Sequence, residues 1–145
     1  MKEPQARIVH LPERTVAVVP HKGPVERIDD TRRPLYRHMI IHELVGGPSI
    51  IRFLEVPRGD HQIDALVTTH MGFEGDEVVT VEQLPAGRYA VFDYEGPPAG
   101  LAAARDSLRA WIRTHGHRAA GPLLQVHHMD PIEGVVEEQL QVFLG

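Results

Sequence analysis

A chain of 145 residues with a hydrophobic fraction of 42% and a charged fraction of 24% has the composition of an ordinary globule, long enough for one domain that buries roughly 70% of its unfolded surface. A formal net charge of -5 argues against a nucleic-acid surface, which shows as a basic patch or stripe; the densest basic stretch, Arg32-Arg33 with Arg37, stands beside Asp29 and Asp30. No apolar run reaches the roughly 18 residues of a membrane span, no secretory h-region opens the chain, and the absence of cysteine excludes disulfide and thiol chemistry, so a cytoplasmic location is expected.

Residues 6–11 and 15–20 are apolar and β-branched, and they read as one strand bent near Pro12. From Gly23-Pro24 the pattern turns helical. Leu35, Met39 and Ile40 fall on one side, with Tyr36 and Leu44 on an adjoining one. Pro34 either opens the main part of this helix or kinks it, and Gly46-Gly47-Pro48 is expected to stop it. Two strands, 49–56 and 62–71, follow around the turn-forming Pro57-Arg58-Gly59-Asp60. After Gly72–Asp76 comes a strand over 78–84, a break at Pro85-Ala86-Gly87 and a strand over 89–94. A helix over about 98–115 has the apolar stripe Leu101, Ala104, Leu108, Trp111 and Ile112, with Gly116 as its C-terminal cap. Strands over 123–128 and 136–144, joined through Asp130-Pro131, close the chain.

This order occurs twice. Val18-Val19-Pro20-His21-Lys22-Gly23-Pro24 returns as Val91-Phe92-Asp93-Tyr94-Glu95-Gly96-Pro97, and Ala17, Leu35 and Met39 correspond in register to Ala90, Leu108 and Ile112. One inserted residue later, Gly47-Pro48 corresponds to Gly121-Pro122 and Pro57 to Pro131. A period this long marks a duplicated module and not a solenoid. The expected fold is α+β: duplicated strand-helix-strand-strand modules with pseudo-two-fold symmetry, and a curved antiparallel sheet carrying two main helices over a ligand cleft. Residues 1–145 then form a single domain, with the repeats at about 6–71 and 77–144.

The second half carries the more specific motifs: Leu84-Pro85-Ala86-Gly87-Arg88-Tyr89-Ala90-Val91, Tyr94-Glu95-Gly96-Pro97, Leu108-Arg109-Ala110-Trp111-Ile112, Gly121-Pro122, Asp130-Pro131 and a closing strand at 140–144. In that order and spacing they resemble the GyrI-like small-molecule-binding domain, which is also the effector-binding domain of AraC-type and multidrug-sensing transcription regulators. The resemblance covers essentially the whole chain. It implies the duplicated fold and a hydrophobic ligand channel at the junction of the halves. Family members bind drug-like or lipophilic compounds, and a subset hydrolyses reactive cyclopropane-bearing natural products. Many are fused to helix-turn-helix domains, a pattern not seen in these residues, so direct nucleic-acid binding is not expected.

The resemblance implies that one glutamate commonly stands in the strand after Gly-Pro and another in the closing strand, both facing the channel and attracting cationic ligands. The matching positions here read as Gln125 and Gln139, and an aromatic two residues beyond the first acid is matched by His127, whose first-half counterpart is Phe53. By alternation Gln125 shares a face with His127, and Gln139 with Gln141. Leaving a desolvated cation unpaired costs several kcal/mol, against roughly 1.5 to 3 kcal/mol for each well-buried apolar side chain. The expected ligand is therefore small, lipophilic and neutral. A register one residue different would put Glu138 in the channel in place of Gln139.

Tyr36 and Trp111 are candidates to line the channel from the two helices, or else members of the apolar stripes. Of Tyr89 and Tyr94, on opposite faces of one strand, Tyr94 next to the Gly-Pro turn is the candidate. His38 and His42 are spaced i, i+4, but no third ligand follows at metal-site spacing, so neither metal nor cofactor is expected. No serine stands in a nucleophile-elbow context; His127 and Glu138 are the residues that could act as general acid or base. Three function classes stay open: a stand-alone binding protein that sequesters or senses its ligand, a hydrolase of a reactive small molecule held in the same channel, and a protein inhibitor of a larger partner such as gyrase. None of these residues specifies an oligomeric state.

Overall fold

The computed structural model describes residues 6–59, 61–132 and 134–145; Asp60, expected in the first hairpin turn, lies outside them. In chain order the elements are β1 (Arg7–Leu11), β2 (Arg14–His21), α1 (Asp29–Ile41), β3 (Val45–Arg58), β4 (His61–Thr69), β5 (Thr80–Leu84), β6 (Gly87–Gly96), α2 (Leu101–Thr114), β7 (Leu123–Ile132) and β8 (Val135–Phe143). The class is α+β with antiparallel pairing, as the repeat predicts. The chain divides into two compact units, Pro12–Ala86 and Gly87–Gly145, the latter completed by the N-terminal residues through Leu11.

The Pro12–Ala86 unit has the strand order β3-β4-β2-β5. One face of its sheet is a set of cross-strand rows: Ser49–Val67–Ala17, Ile51–Ala65–Val19 and Phe53–Ile63–His21. Helix α1 covers this face with Leu35 and Met39, which share a cluster with Ile28, Ile51, Ile63, Ala65 and Val67. Each of these larger side chains contributes roughly 1.5 to 3 kcal/mol by burial. Pro34 lies inside α1 and does not open it. Ile40, expected beside Met39 in the stripe, is 53% exposed, because one step along a helix turns the side chain by roughly 100° and only the i, i+4 pair Leu35 and Met39 faces the sheet.

The Gly87–Gly145 unit has the order β1-β6-β8-β7 and matching rows: Leu123–Val142–Ala90, Gln125–Leu140–Phe92 and His127–Glu138–Tyr94. Helix α2 buries Ala104, Leu108 and Ile112.

Two further sequence expectations change. Residues 6–20 are not one bent strand: β1 pairs with β6 and β2 with β5, so the strands on either side of Pro12 belong to different units, as do those on either side of Pro85-Ala86. Proline has no N–H to continue a ladder, which is why the strand ends there. The two exchanged strands keep one register, Arg7 opposite Val91 in one unit and Thr80 opposite Val18 in the other. Helix α1 is also stopped earlier than Gly46-Gly47-Pro48, which lies within β3. Its terminator is Glu43, at φ 56°, with Leu44 N–H donating to the Met39 carbonyl at 2.8 Å and Glu43 N–H to that of Ile40. At the end of α2, Gly116 takes φ 76° and His117 N–H donates to the Ile112 carbonyl at 2.9 Å. Both are Schellman closures, one built on glycine and one on a glutamate.

Candidate functional site

Polar side chains gather in the third row of the Gly87–Gly145 unit. In an antiparallel pair, directly opposed residues share a face, so the pairing of Tyr94 with Glu138 and of Glu138 with His127 sets a phenol, a carboxylate and an imidazole side by side. The Glu138 side chain is 6% exposed and that of His127 20%. His127 Nδ1 lies 3.1 Å from Glu138 Oε2 and 3.3 Å from Oε1. Gln125, two residues back on β7 and also buried, turns its amide Nε2 toward Glu138 Oε1 at 3.5 Å. Its own Oε1 accepts from the Arg105 guanidinium of α2 at 2.9 Å. Burial, with the neighbouring Arg109 charge second, pushes the Arg105 guanidinium down from its ordinary value, though arginine stays charged throughout the range of interest.

Tyr94 is held in place by the chain reversal after it. Its hydroxyl donates to the Pro97 carbonyl, and a Cβ on Gly100 would overlap that hydroxyl. The residue at position 100 must therefore be glycine while the tyrosine keeps this pose. The other unit makes the same contact with different chemistry: His21 Nε2 lies 2.9 Å from the Pro24 carbonyl and Nδ1 2.7 Å from the Thr31 hydroxyl. A carbonyl only accepts, so the imidazole there carries its proton on Nε2 and Nδ1 accepts from Thr31.

The remaining candidates separate. Gln139 and Gln141 lie on the opposite face of β8 from Glu138, where Gln141 Nε2 donates to Gln139 Oε1 and Gln139 Nε2 to Asp93 Oδ1, each at 2.8 Å. The expectation that Gln139 and Gln141 stand with Gln125 and His127 is corrected accordingly. The position facing the imidazole is held by Glu138, because β8 pairs Glu138 with Tyr94 and His127 and pairs Gln139 with Asp93 and Val126. Asp93, which burial would raise, is held below the usual carboxylate range by the Gln139 amide and the Arg7 guanidinium. Tyr89 is buried on that opposite face against the ring of Phe143.

Trp111 is half-buried at the end of α2, stacked on His115 with centroids 4.3 Å apart and on His117 at 6.0 Å. Tyr36 lies on the outer side of α1, 39% exposed. Phe53 packs on the apolar core of its own unit, in the row equivalent to that of His127. His38 and His42 have rings 4.6 Å apart, but His38 Nε2 bonds Asp76 at 2.9 Å. Among the described residues no three His, Asp or Glu side chains are grouped to hold a metal ion. Sequence reasoning missed Arg105. Its signal was available: it flanks the apolar stripe, one turn from both Leu101 and Leu108, where a long cation can lay its stem along the sheet.

From residue 4 to residue 142 the sequence matches the family model of the GyrI-like small molecule binding domain. Among solved structures the fold is similar to that of EcmrR in a complex with DNA, where the chain spans 56% of the EcmrR length at 12% identity and a TM-score of 0.78. It is also similar to the isolated EcmrR C-terminal domain, at 14% identity and a TM-score of 0.81 over 96% of both chains. SAV2435 bound to tetraphenylphosphonium is similar at 12% identity and a TM-score of 0.63, over 95% of this chain and 92% of that one. A hydrolase from Listeria innocua gives 12% and 0.65, over 95% and 90%. At such identities the likeness is one of fold. No protein of curated function matches the sequence, and among the described residues no helix is long and apolar enough to cross a membrane.

Proposed function

The chain belongs to the GyrI-like small-molecule-binding domain family, and from that premise we propose that it holds a lipophilic small molecule, preferentially a monocation, against the Tyr94–Glu138–His127 row, to sequester it or to report it to a partner. The observation that supports the charge preference is the buried Glu138 carboxylate, whose contacts among the described residues are an imidazole and an amide and not a guanidinium or ammonium. A cation placed beside it recovers Coulomb energy that water no longer screens. The preference for neutral ligands read from the sequence rested on Gln139 at this position, and it gives way with the register. SAV2435, of the same fold, was captured with a lipophilic cation.

Tetraphenylphosphonium is the probe, titrated calorimetrically. Substituting Glu138→Gln removes the charge and keeps the shape, and should weaken binding by at least about tenfold, the equivalent of about 1.4 kcal/mol. Gln139→Ala, on the other face, should leave the affinity within about twofold. Equal binding by wild type and Glu138→Gln would refute the charge reading.

The contact between His127 and Glu138 also supports a second reading. A carboxylate that orients an imidazole is the arrangement of a general base, and a hydrolase from Listeria innocua shares the fold. Under that reading the chain hydrolyses an electrophilic ligand, and His127→Ala abolishes turnover of an activated ester while tetraphenylphosphonium still binds. Turnover unchanged in His127→Ala would exclude it.

A further inference from the structure

We infer that His127 is the residue that sets ligand charge at this site, by making cation binding an exchange: a lipophilic monocation and a proton on the His127 imidazole compete for the single negative charge of Glu138. The inference rests on the cation-binding reading above and adds to it a residue and a stoichiometry. Its basis is the approach of Nδ1 to within 3.3 Å of both carboxylate oxygens. With a neutral ring, Nδ1–H donates to Glu138 and the carboxylate keeps its charge for a ligand. With an imidazolium, the pair is neutral and offers the ligand no net charge of its own. The two residues are cross-strand partners, so the ladder keeps their Cα atoms opposite one another and the two side chains on one face.

The duplication supplies an internal comparison. The row of the other unit, Phe53–Ile63–His21, puts phenylalanine and isoleucine where this one has histidine and glutamate, so the module folds without a charged pair at these positions. A buried ion pair is a poor source of stability, and at this row it is present in one copy alone, the buried Arg52–Asp64 pair of the other unit lying on the opposite face of its sheet, so its placement here points to ligand chemistry.

Among the described residues, the surrounding groups set the baseline of the site. From α2, Arg105 reaches Gln125, and Arg109, one turn on, bonds Asp106; arginine keeps its charge at every pH considered. From β6, Tyr94 offers a phenol bonded to Pro97. From β7 comes the Gln125 amide. The β8 neighbours on this face, Val136 and Leu140, are apolar and buried.

Linkage fixes the sign. The cation favours the form with neutral His127, so binding releases a proton wherever the free protein holds one, and the proton weakens the cation by the same factor. Histidine titrates around neutrality. Tetraphenylphosphonium affinity should therefore fall by up to about tenfold per pH unit on the acid side of that titration and level off on the alkaline side. Tetraphenylborate, of the same shape and opposite charge, should show the reverse trend.

The test is calorimetry of both probes from about pH 5 to about pH 8, in buffers of different ionisation heat, so that protons released per ligand are counted directly. Close to one proton is expected at the acid end and close to none at the alkaline end. His127→Asn puts a non-titrating amide N–H near the Nδ1 position; it should remove the proton release and tighten cation binding at the acid end by about tenfold or more. His127→Gln is the second variant, and the His127 ring resonances of the wild type, titrated with and without tetraphenylphosphonium, give the same answer without mutation. Binding of the cation with no proton release, or with a pH slope that both variants retain, overturns the exchange and leaves the binding site standing. Failure of the cation to bind at any pH overturns the binding reading, and the exchange with it.

Discussion

Grafting the row of one unit onto the other separates the energetics of the His127–Glu138 pair from its chemistry. In His127→Phe alone, Glu138, whose side chain is 6% exposed in the native structure, is left with the Gln125 amide, 3.5 Å away there, as its partner in the row; an uncompensated buried charge of this kind costs about 3 to 5 kcal/mol. Adding Glu138→Ile removes the charge and reproduces the Phe53–Ile63 pair that the other unit packs against its core. Replacing a buried ion pair by apolar residues of similar volume is neutral or stabilising by about 1 to 4 kcal/mol. The Gln125 amide, left without its acceptor, takes back about 1 kcal/mol. The double variant should thus lie between about 1 kcal/mol less stable and about 3 kcal/mol more stable than wild type, while the single His127→Phe is severely destabilised. Urea denaturation at neutral pH, followed by circular dichroism, reads both as shifts in midpoint at constant slope. A double variant as unstable as His127→Phe alone would refute the claim that the pair is a cost to the fold, because the destabilisation could not then come from a stranded charge.

Glu43→Gly should stabilise the chain by about 1 kcal/mol in the same assay, since Glu43 sits at φ 56° where a side chain is strained and the equivalent position after α2 is already glycine; a destabilised variant would contradict this. Gly100→Ala should cost about 1 to 3 kcal/mol by forcing its Cβ onto the Tyr94 hydroxyl, and Tyr94→Phe should recover part of that loss in the double variant, so a full, unrelieved cost would place the strain elsewhere. The hydrogen bond from His38, followed by those from the Val78 and Val79 N–H groups, holds the Asp76 carboxyl down at about 2 against an ordinary 3.8. A carboxyl lowered in the folded state contributes stability that is complete above its unfolded value and is lost as the pH falls through its folded value. Asp76→Asn should therefore flatten the acid limb of the stability profile between about pH 4 and about pH 2, and an unchanged limb would show that the bond does not persist in solution.

The duplication was legible because copies that keep strand lengths and turn positions keep their punctuation, and Gly23-Pro24 and Gly96-Pro97 mark the same strand-to-helix corner in both. Partner choice was not legible. Nothing within residues 6–20 says that the strand before Pro12 pairs with residues near Val91 and the one after it with residues near Thr80, because pairing is a non-local property and local alternation is the same either way. The site turned on a single residue of register. Alternation correctly separates Glu138 from Gln139, but only the ladder, Tyr94 to Glu138 to His127, says which of them stands beside the imidazole. The end of α1 was misplaced for a related reason. Glycine is the usual signal of a left-handed cap, and a glutamate in that role leaves no compositional trace.

The exchange of β1 and β5 has a further meaning for how such a chain arises. A single module on its own would hold its leading strand with nothing beside it, and would leave the flank of its second strand vacant. Two copies cure both defects at once, each lending the other the strand it lacks, in one shared register. That connectivity is that of a strand-swapped homodimer whose subunits have been fused head to tail. Fusion frees the two copies to diverge: one can keep an apolar row for stability while the other acquires charge, a division of labour closed to a symmetric dimer, in which every substitution appears twice.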